Sequence, residues 1–380
     1  MRNRAEIVIV GAGIIGCSIA YFLAKKGHKD IIVIDKKGIA SGMTGLCPGG
    51  VRLQWGTEIN CLMAKESAHF YTHMNDELQP EYPLAFRKVG YLYLFNEEKA
   101  IENYKQRIAL QNQLGIPTKL LQHQEIQEIV PGLNPDSYTA GSFCPDDGFV
   151  DDVYDITNGF ANAAKRMGVK FLLDEVGEII TERDRIRGVK TGRGIIESDI
   201  VVNAAGLDSP DLASTVGVEL PIKSEVRRLI FTNRIEERLL EPLLVYFEKG
   251  FAAKQLTDGT LYLSYLGKDI QPPCDHFEYQ MRAAEVGMEI FPPLEKVEFR
   301  RHVDGIYDST PDHQAILGGI DGLVGYYQAV GMSGHGFMMA PAIARAMAET
   351  IAGEEPFIDI SPLHYNRFAK NKLIPEPAVV

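Results

Sequence analysis

The sequence predicts an α/β chain, α+β overall, in which a parallel sheet is assembled from discontinuous segments and insertions build a second, antiparallel sheet. Three observations predict it. The chain opens on a strand–helix–strand unit from Glu6 to Asp35. An apolar strand in the middle, Asp199 to Asn203, runs into Ala204-Ala205-Gly206. Near the end a glycine-rich junction, Gly331 to Gly336, feeds a helix rich in alanine and methionine. Each is a parallel strand handing over to a turn or helix, and the stretches between them are rich in β-branched and aromatic residues without helical period.

In the opening unit, Glu6 to Val10 is β-branched and uncharged beyond its first residue, as a buried strand requires. Gly11-Ala12-Gly13-Ile14-Ile15-Gly16 follows, a G-x-G-x-x-G. An apolar helical run from Ile14 to Ala24 ends at Lys25-Lys26-Gly27, basic charge and a glycine where a helix stops. A second buried strand, Ile31 to Ile34, closes on Asp35. In this setting Gly11 permits a tight turn, Gly13 lets a pyrophosphate approach the backbone, and Gly16 lets the helix lie on the strand. The helix start offers free N–H groups to phosphates, and Asp35 can accept from a ribose. An acid there favours an unphosphorylated ribose, hence NAD or FAD over NADP, and the motif does not choose between those two. Ile7 to Ala24 carries no charge, yet three glycines at this spacing mark a Rossmann-like nucleotide fold rather than a membrane helix.

Lys36 to Trp55 reads as a long functional loop against which a flat ligand could lie. Helices are predicted over Glu58–Leu78, Glu97–Leu114, His123–Val130 and Asp155–Met167, with strands over Gly90–Phe95, near Tyr138–Phe143 and over Lys170–Leu173. Glu178–Ile180, Ile186–Thr191 and Gly194–Glu197 form a small meander. A strand-rich part follows: Pro221–Asn233, Leu243–Tyr246, Phe251–Gln255 and Thr260–Tyr265. Then come a helix His276–Ile290, strands Val297–Gly305, Ala315–Gly318 and Gly325–Val330, and the last helix His335–Ile351. The tail from Phe357 reads as poorly ordered.

At 380 residues two domains are expected. A formal charge of −12 argues against nucleic acid or an anionic membrane as partner. Five cysteines without a C-x-x-C pair suggest neither a metal site nor a disulfide framework. A cytoplasmic protein without an integral membrane segment is expected.

The segments VIVGAGIIGCSIAYFLA, VVNAAGLDSP, STPDHQAILGG and AVGMSGHGFMMAPAIA, in that order along the chain, resemble the D-amino-acid-oxidase superfamily of FAD-dependent amine and imino-acid oxidoreductases. Its members include sarcosine oxidase, glycine oxidase and dye-linked L-proline dehydrogenase. The resemblance implies FAD rather than NAD, with an FAD-binding domain of residues 1–84, 148–219 and 310–380 and a substrate domain of 85–147 and 220–309. It implies that Gly11, Gly13, Gly16 and Asp35 hold the ADP half, with Ile14, Ile15 and Lys36 beside them. Ser41 and Thr44 would line the pyrophosphate, Val176 would meet the adenine, and Ala204, Ala205 and Gly206 would close over the cofactor. Gly49, Gly50, Val51 and Arg52 of the loop join the cofactor set, as do Gly305, Gly331 and Ser333. Gly334, His335, Gly336, Phe337 and Met338 would set a helix start near the flavin.

Departures from the family bear on chemistry. A flavin-tethering cysteine of sarcosine oxidase corresponds to Gly305, so noncovalent FAD is expected. A carboxylate-binding arginine of glycine oxidase corresponds to Tyr307, and sarcosine oxidase cations correspond to Met338 and Trp55. Only Arg52 survives of the usual cationic positions. A lysine that assists oxygen corresponds to Tyr262, which favours a dehydrogenase over an oxidase. Arg52, Tyr262 and Tyr307 are the candidate catalytic residues, and Trp55, Tyr246 and Met338 the candidates for shaping the substrate pocket. The expected reaction is removal of a hydride from the C–H next to nitrogen of a small amine or amino acid of the sarcosine, proline or glycine class. Electrons would pass to an acceptor, a partner subunit or O2. Oxidation of a 2-hydroxy acid or glycerol 3-phosphate is the alternative, as is a flavoprotein subunit active only within a hetero-oligomer.

Overall fold

The computed structural model describes residues 4–378. Its larger sheet has nine strands, and five of them, centred on Ile7–Val10, form a parallel core. That strand pairs in parallel with Ile31–Asp35 on one side and Ile200–Asn203 on the other. Ile31–Asp35 pairs onward with Lys170–Leu173, and Ile200–Asn203 with Leu323–Val330, both in parallel. Burial on both faces explains the uninterrupted Ile/Val runs of the central strands. The helices Ile14–Lys25, Val153–Arg166 and Gly336–Ile351 cover one face. The meander Val176–Glu182, Arg185–Thr191 and Gly194–Glu197 contributes to the other. It is antiparallel within itself and joins the parallel strands through Arg185 and Val324.

A second sheet of eight strands runs from the edge strand Phe299–Ser309 to Lys119–Leu121. It is antiparallel except where Leu243–Tyr246 lies parallel to Tyr91–Phe95. Its longest pairing sets Lys223–Arg234 against Phe299–Ser309, which carries the latter past its expected end at Gly305 through Tyr307. The helix His276–Ile290 packs on this sheet through Tyr279, Ala283, Val286 and Ile290.

The long loop after Asp35 is anchored by a two-residue ladder, Gly50–Val51 against Gly148–Phe149. Behind it the buried Asp147 accepts from the Leu53 N–H at 2.5 Å and from Gln54 Nε2 at 2.7 Å. Burial pushes this carboxyl up to about 7, against the pull of those two donors.

The expectation of a poorly ordered tail is corrected. Arg367 is buried and donates to both carboxylate oxygens of Asp312, at 2.8 and 3.0 Å. Glu376 accepts from the N–H groups of Gly56 and Thr57, from the Thr57 hydroxyl and from Asn60 Nδ2. It thereby caps the start of the helix Glu58–Leu78. These contacts lie far off in sequence, so no local pattern announces them.

Candidate active site

The strand Ile7–Val10 ends at Gly11, whose φ of +107° few L side chains adopt. A Cβ there would stand 2.2 Å from the Ala204 carbonyl oxygen. At Gly16 a Cβ would stand 1.9 Å from the Gly11 carbonyl oxygen, so the helix lies directly on the turn. The Ile14 N–H donates to Thr44 Oγ1 at 3.0 Å, which folds the long loop over the helix start. Asp35 is fixed at its strand end by the N–H groups of Ala12, Lys37 and Gly38, each at 2.8 Å. Lys36 beside it pairs with Asp208 at 2.8 Å.

From this turn a cavity of about 640 Å³ passes between the two sheets. Val176, Gly206, Gly305, Tyr307 and the segment Met332–Met338 line it, as do Tyr91, Tyr93, Lys254, Tyr262 and Arg227 from the second sheet. The helix Gly336–Ile351 points its N-terminus into the cavity, with no acidic residue in its first turn and no side-chain cap. Such a helix start favours negative charge opposite it. His335 precedes it, buried and edge-on to Trp55 with ring centroids 4.4 Å apart. Burial, then Arg52 and His313, hold its imidazole well below the usual histidine range, so the ring is neutral. Its Nε2 is buried without a partner, as is Asp308 Oδ2 nearby. Burial raises the Asp308 carboxyl to about 6. A glycine cradle, two helix starts, a fixed acid and unpartnered polar atoms along one cavity fit FAD, whose ribose, phosphates and ring offer matching groups.

Arg52 lines the cavity, with its Nε buried and unpartnered. Its guanidinium lies 3.7 Å from the Trp55 ring, donates to Tyr93 Oη at 2.6 Å, and donates to the Ala378 carbonyl. It touches the cavity, but two of its nitrogens are engaged within the wall.

The cavity brings together most of the residues expected from sequence. Tyr262, Tyr307 and Met338 line it, as do Gly11, Gly13, Ile14, Ile15, Asp35, Lys36, Ser41, Thr44, Gly50, Val176, Ala204, Ala205 and Gly206. Gly305, Ser333, Gly334, His335, Gly336 and Phe337 line it too. Gly16, Gly49, Val51 and Gly331 stand behind its wall. Two substrate-pocket expectations are corrected. Tyr246 is fully buried in the second sheet's core, its hydroxyl donating to the Ser137 carbonyl at 2.7 Å. Trp55 is fully buried, its indole N–H donating to the Arg52 carbonyl at 2.9 Å, and it supports the wall from behind.

Sequence reasoning missed two cations. Lys254 is buried in the cavity wall, donating to the Pro48 and Val150 carbonyls, with its ammonium 4.4 Å from the Phe149 ring and 5.0 Å from the Tyr262 ring. Burial pushes its ammonium down to about 7, against the opposing charge of Asp151 and reinforced by Arg87. The signal was a single charge inside the strand Phe251-Ala252-Ala253-Lys254-Gln255, where water cannot reach it. Arg227 is the second. Alternation along Lys223–Arg234 sends Arg228 to one face, where it pairs with Asp304, and Arg227 to the other, facing the cavity. Its guanidinium lies 5.2 Å from the Tyr307 ring and donates to Glu225 at 2.7 Å and to the Val226 carbonyl at 3.3 Å, while its buried Nε has no partner.

Lys254 gives a signed pH dependence. Below pH 7 the lysine is protonated folded and unfolded, so the cost of burying its charge is complete. Between about 7 and its unperturbed 10.5 only the unfolded chain holds the proton, and that cost fades as pH rises. The wild type should therefore gain on Lys254→Met between pH 7 and 10, measured as the difference in urea midpoints. A constant gap would show that the ammonium is not perturbed.

Comparison with known proteins agrees with this geometry. The family model described as FAD dependent oxidoreductase matches residues 6–350. Among solved structures, L-proline dehydrogenase from P. horikoshii superposes with a TM-score of 0.92 at 32% identity, over 98% of this chain and 100% of that one. Sarcosine oxidase subunit beta of Rhodobacter capsulatus is 26% identical over 99% of this chain and 91% of its own length. Mitochondrial dimethylglycine dehydrogenase of Rattus norvegicus is 26% identical over 97% of this chain, which spans only 45% of that protein. No helix among the described residues is long and apolar enough to cross a membrane. With a family match over most of its length and the cradle in place, this chain belongs to the FAD-dependent oxidoreductases of the D-amino-acid-oxidase family.

Proposed function

We propose that this chain removes a hydride from the C–H next to nitrogen of a small amino acid of the sarcosine, proline or glycine class, holding FAD noncovalently. The observation that carries the reading is Arg227, a cavity-facing guanidinium beside Tyr307 that Glu225 and the Val226 carbonyl hold in place while its buried Nε stays unpartnered. Such a group recognises a carboxylate, which selects an amino acid over a plain amine. Bound along the cavity, FAD would supply the hydride acceptor. The cradle Gly11, Gly13, Ile14 and Asp35 would hold its ADP half, and the helix start at Gly336 would face its ring. Residues 1–84, 148–219 and 310–380 would form its binding domain and the remainder the substrate domain. The aromatic wall of Tyr91, Tyr93, Tyr262 and Tyr307 would exclude water and orient the C–H bond, which supplies much of the rate. Burial raises both the Tyr262 and Tyr307 hydroxyls, so they act as neutral phenols.

Noncovalent binding is supported by Gly305, which offers no nucleophile. The nearest cavity thiol, Cys47, is raised by burial and accepts from the Gly49 N–H at 3.3 Å. A dehydrogenase is favoured because Tyr262 corresponds, by the family resemblance, to the lysine that assists oxygen, and because Lys254 is tied to two carbonyls. An electron acceptor or partner subunit would then complete turnover.

Anaerobic flavin bleaching tests the reading. Proline, sarcosine or glycine should bleach the bound flavin, and pyrrolidine or dimethylamine should not. Arg227→Ala should raise KM for the active amino acid by roughly 10- to 150-fold, the equivalent of a lost charge-assisted hydrogen bond of about 1.5–3 kcal/mol. Arg227→Lys should recover part of it. Bleaching by amines without carboxylates, or an unchanged KM, would overturn the substrate assignment. Reoxidation in air as fast as substrate reduction would overturn the dehydrogenase assignment.

A further inference from the structure

The helix His276–Ile290 has two apolar faces. Tyr279, Ala283, Val286 and Ile290 pack inward on the second sheet. Phe277, Met281, Ala284 and Met288 recur at spacings of four, three and four on the opposite side. The three large ones are exposed, at 69%, 56% and 41%. Other exposed large apolar residues, such as Tyr82, Leu173 and Ile195, come from separate elements. Scattered side chains need no explanation, whereas a continuous stripe on one helix does.

We propose that this stripe is covered by a second copy of the chain, the two helices packing antiparallel about a twofold axis that passes between Arg282 and Ala283. In that register Phe277 meets Met288 of the second copy and Met281 meets Ala284, so each large side chain faces an apolar one. Sliding either helix by a turn sets Phe277 or Met288 beyond the stripe. Twofold pairing brings the same flank of both helices together. The flank holding Arg282 and Glu285 then sets each Arg282 beside the other copy's Glu285. Within one chain Arg282 lies 2.7 Å from Glu285 and 2.8 Å from Asp269, so Asp269 holds the guanidinium in place while it bridges to the second copy's Glu285. Glu289 on that flank pairs with Lys249 at 2.9 Å, which lessens the repulsion between the two flanks. The neighbouring sheet edge does not compete for the contact. Its strand Phe299–Ser309 presents Arg300 and Arg301 to solvent, and like charges facing each other block edge-to-edge pairing.

Sedimentation of the FAD-loaded full chain tests this. The wild type is expected at twice the 42.2 kDa chain mass. Met281→Glu is expected at the single-chain mass, with self-association weakened roughly 30-fold or more and flavin absorbance unchanged. A Cys274→Ser background removes the nearest thiol and allows the register to be read by oxidation. Phe277→Cys mixed with Met288→Cys should cross-link, and neither alone should. A wild type that sediments as a single chain, a dimer that survives Met281→Glu, or cross-linking of Phe277→Cys to itself would each overturn the proposal. So would a different polypeptide found on this helix while the chain alone stays monomeric.

Discussion

Gly11→Val should yield a colourless protein. The new side chain would need a backbone φ of +107° and would place its Cβ 2.2 Å from the oxygen and 2.7 Å from the carbon of the Ala204 carbonyl. Those are backbone atoms of a neighbouring parallel strand's exit, so neither can move without opening the sheet. Relief would push the turn outward, into the space the pyrophosphate needs. Loss of FAD affinity on the order of 100-fold or more is expected, about 2.7 kcal/mol, read as the flavin-to-protein absorbance ratio after gel filtration. Gly13→Ala separates the site from the fold. Within the chain its Cβ would meet only Thr44 Oγ1 at 3.0 Å, a side-chain atom that can rotate, so stability should hold while the methyl group blocks the pyrophosphate's approach and flavin content falls. Equal flavin content in Gly11→Val and wild type would show that the turn does not carry the cofactor.

Arg367→Met should lower stability by about 3–5 kcal/mol, the usual result of removing one partner of a buried ion pair. Both side chains are nearly inaccessible, at 3% and 0% exposure. The guanidinium also donates to the carbonyls of Leu363 and Gln314, at 2.7 and 2.9 Å, so the substitution leaves two further acceptors unmet. Burial alone would raise the Asp312 carboxyl, yet the hydrogen bonds and charge of Arg367 hold it below its ordinary 3.8. A depressed carboxyl contributes stability above that value and loses it as pH falls through its folded value. The gap between wild type and variant should therefore be full at pH 7 and shrink below pH 4. Urea unfolding at fixed FAD concentration would measure it. A gap under 1 kcal/mol at pH 7 would mean that the tail is not held by this pair.

The two substitutions differ in what announced their sites. Gly11 was readable because strand, turn and helix are local, and three glycines at fixed spacing report one backbone path. The helices Glu58–Leu78 and His276–Ile290 were readable to the residue, since each carries a sustained apolar period. Arg367 was not. Its partner lies at Asp312, and Glu376 serves a helix start more than three hundred positions away, so the tail showed only polar residues and prolines without period. Lys254 and Arg227 failed for a related reason. What matters about each is the face it takes and the dryness of that face, and both depend on strand pairings such as Lys254 with Tyr262 and Arg227 with Gly305. Trp55 and Tyr246 erred the other way. An aromatic in the expected neighbourhood was read as pocket lining, when its polar atom had a backbone partner inside the wall.

The order in which the cavity wall is drawn from the chain has a consequence for synthesis. Its wall is drawn from residues 11–44, from Ala204–Gly206 and, last, from the start of the helix beginning at Gly336. A chain emerging from the ribosome at about 5–20 residues per second folds its early parts first. A nascent chain of this protein would carry the fingerprint long before it carries a site. Loading with flavin must wait until the last helix is free to dock against Ile14–Lys25. From that moment mass action by the cofactor stabilises the finished fold and none of its precursors.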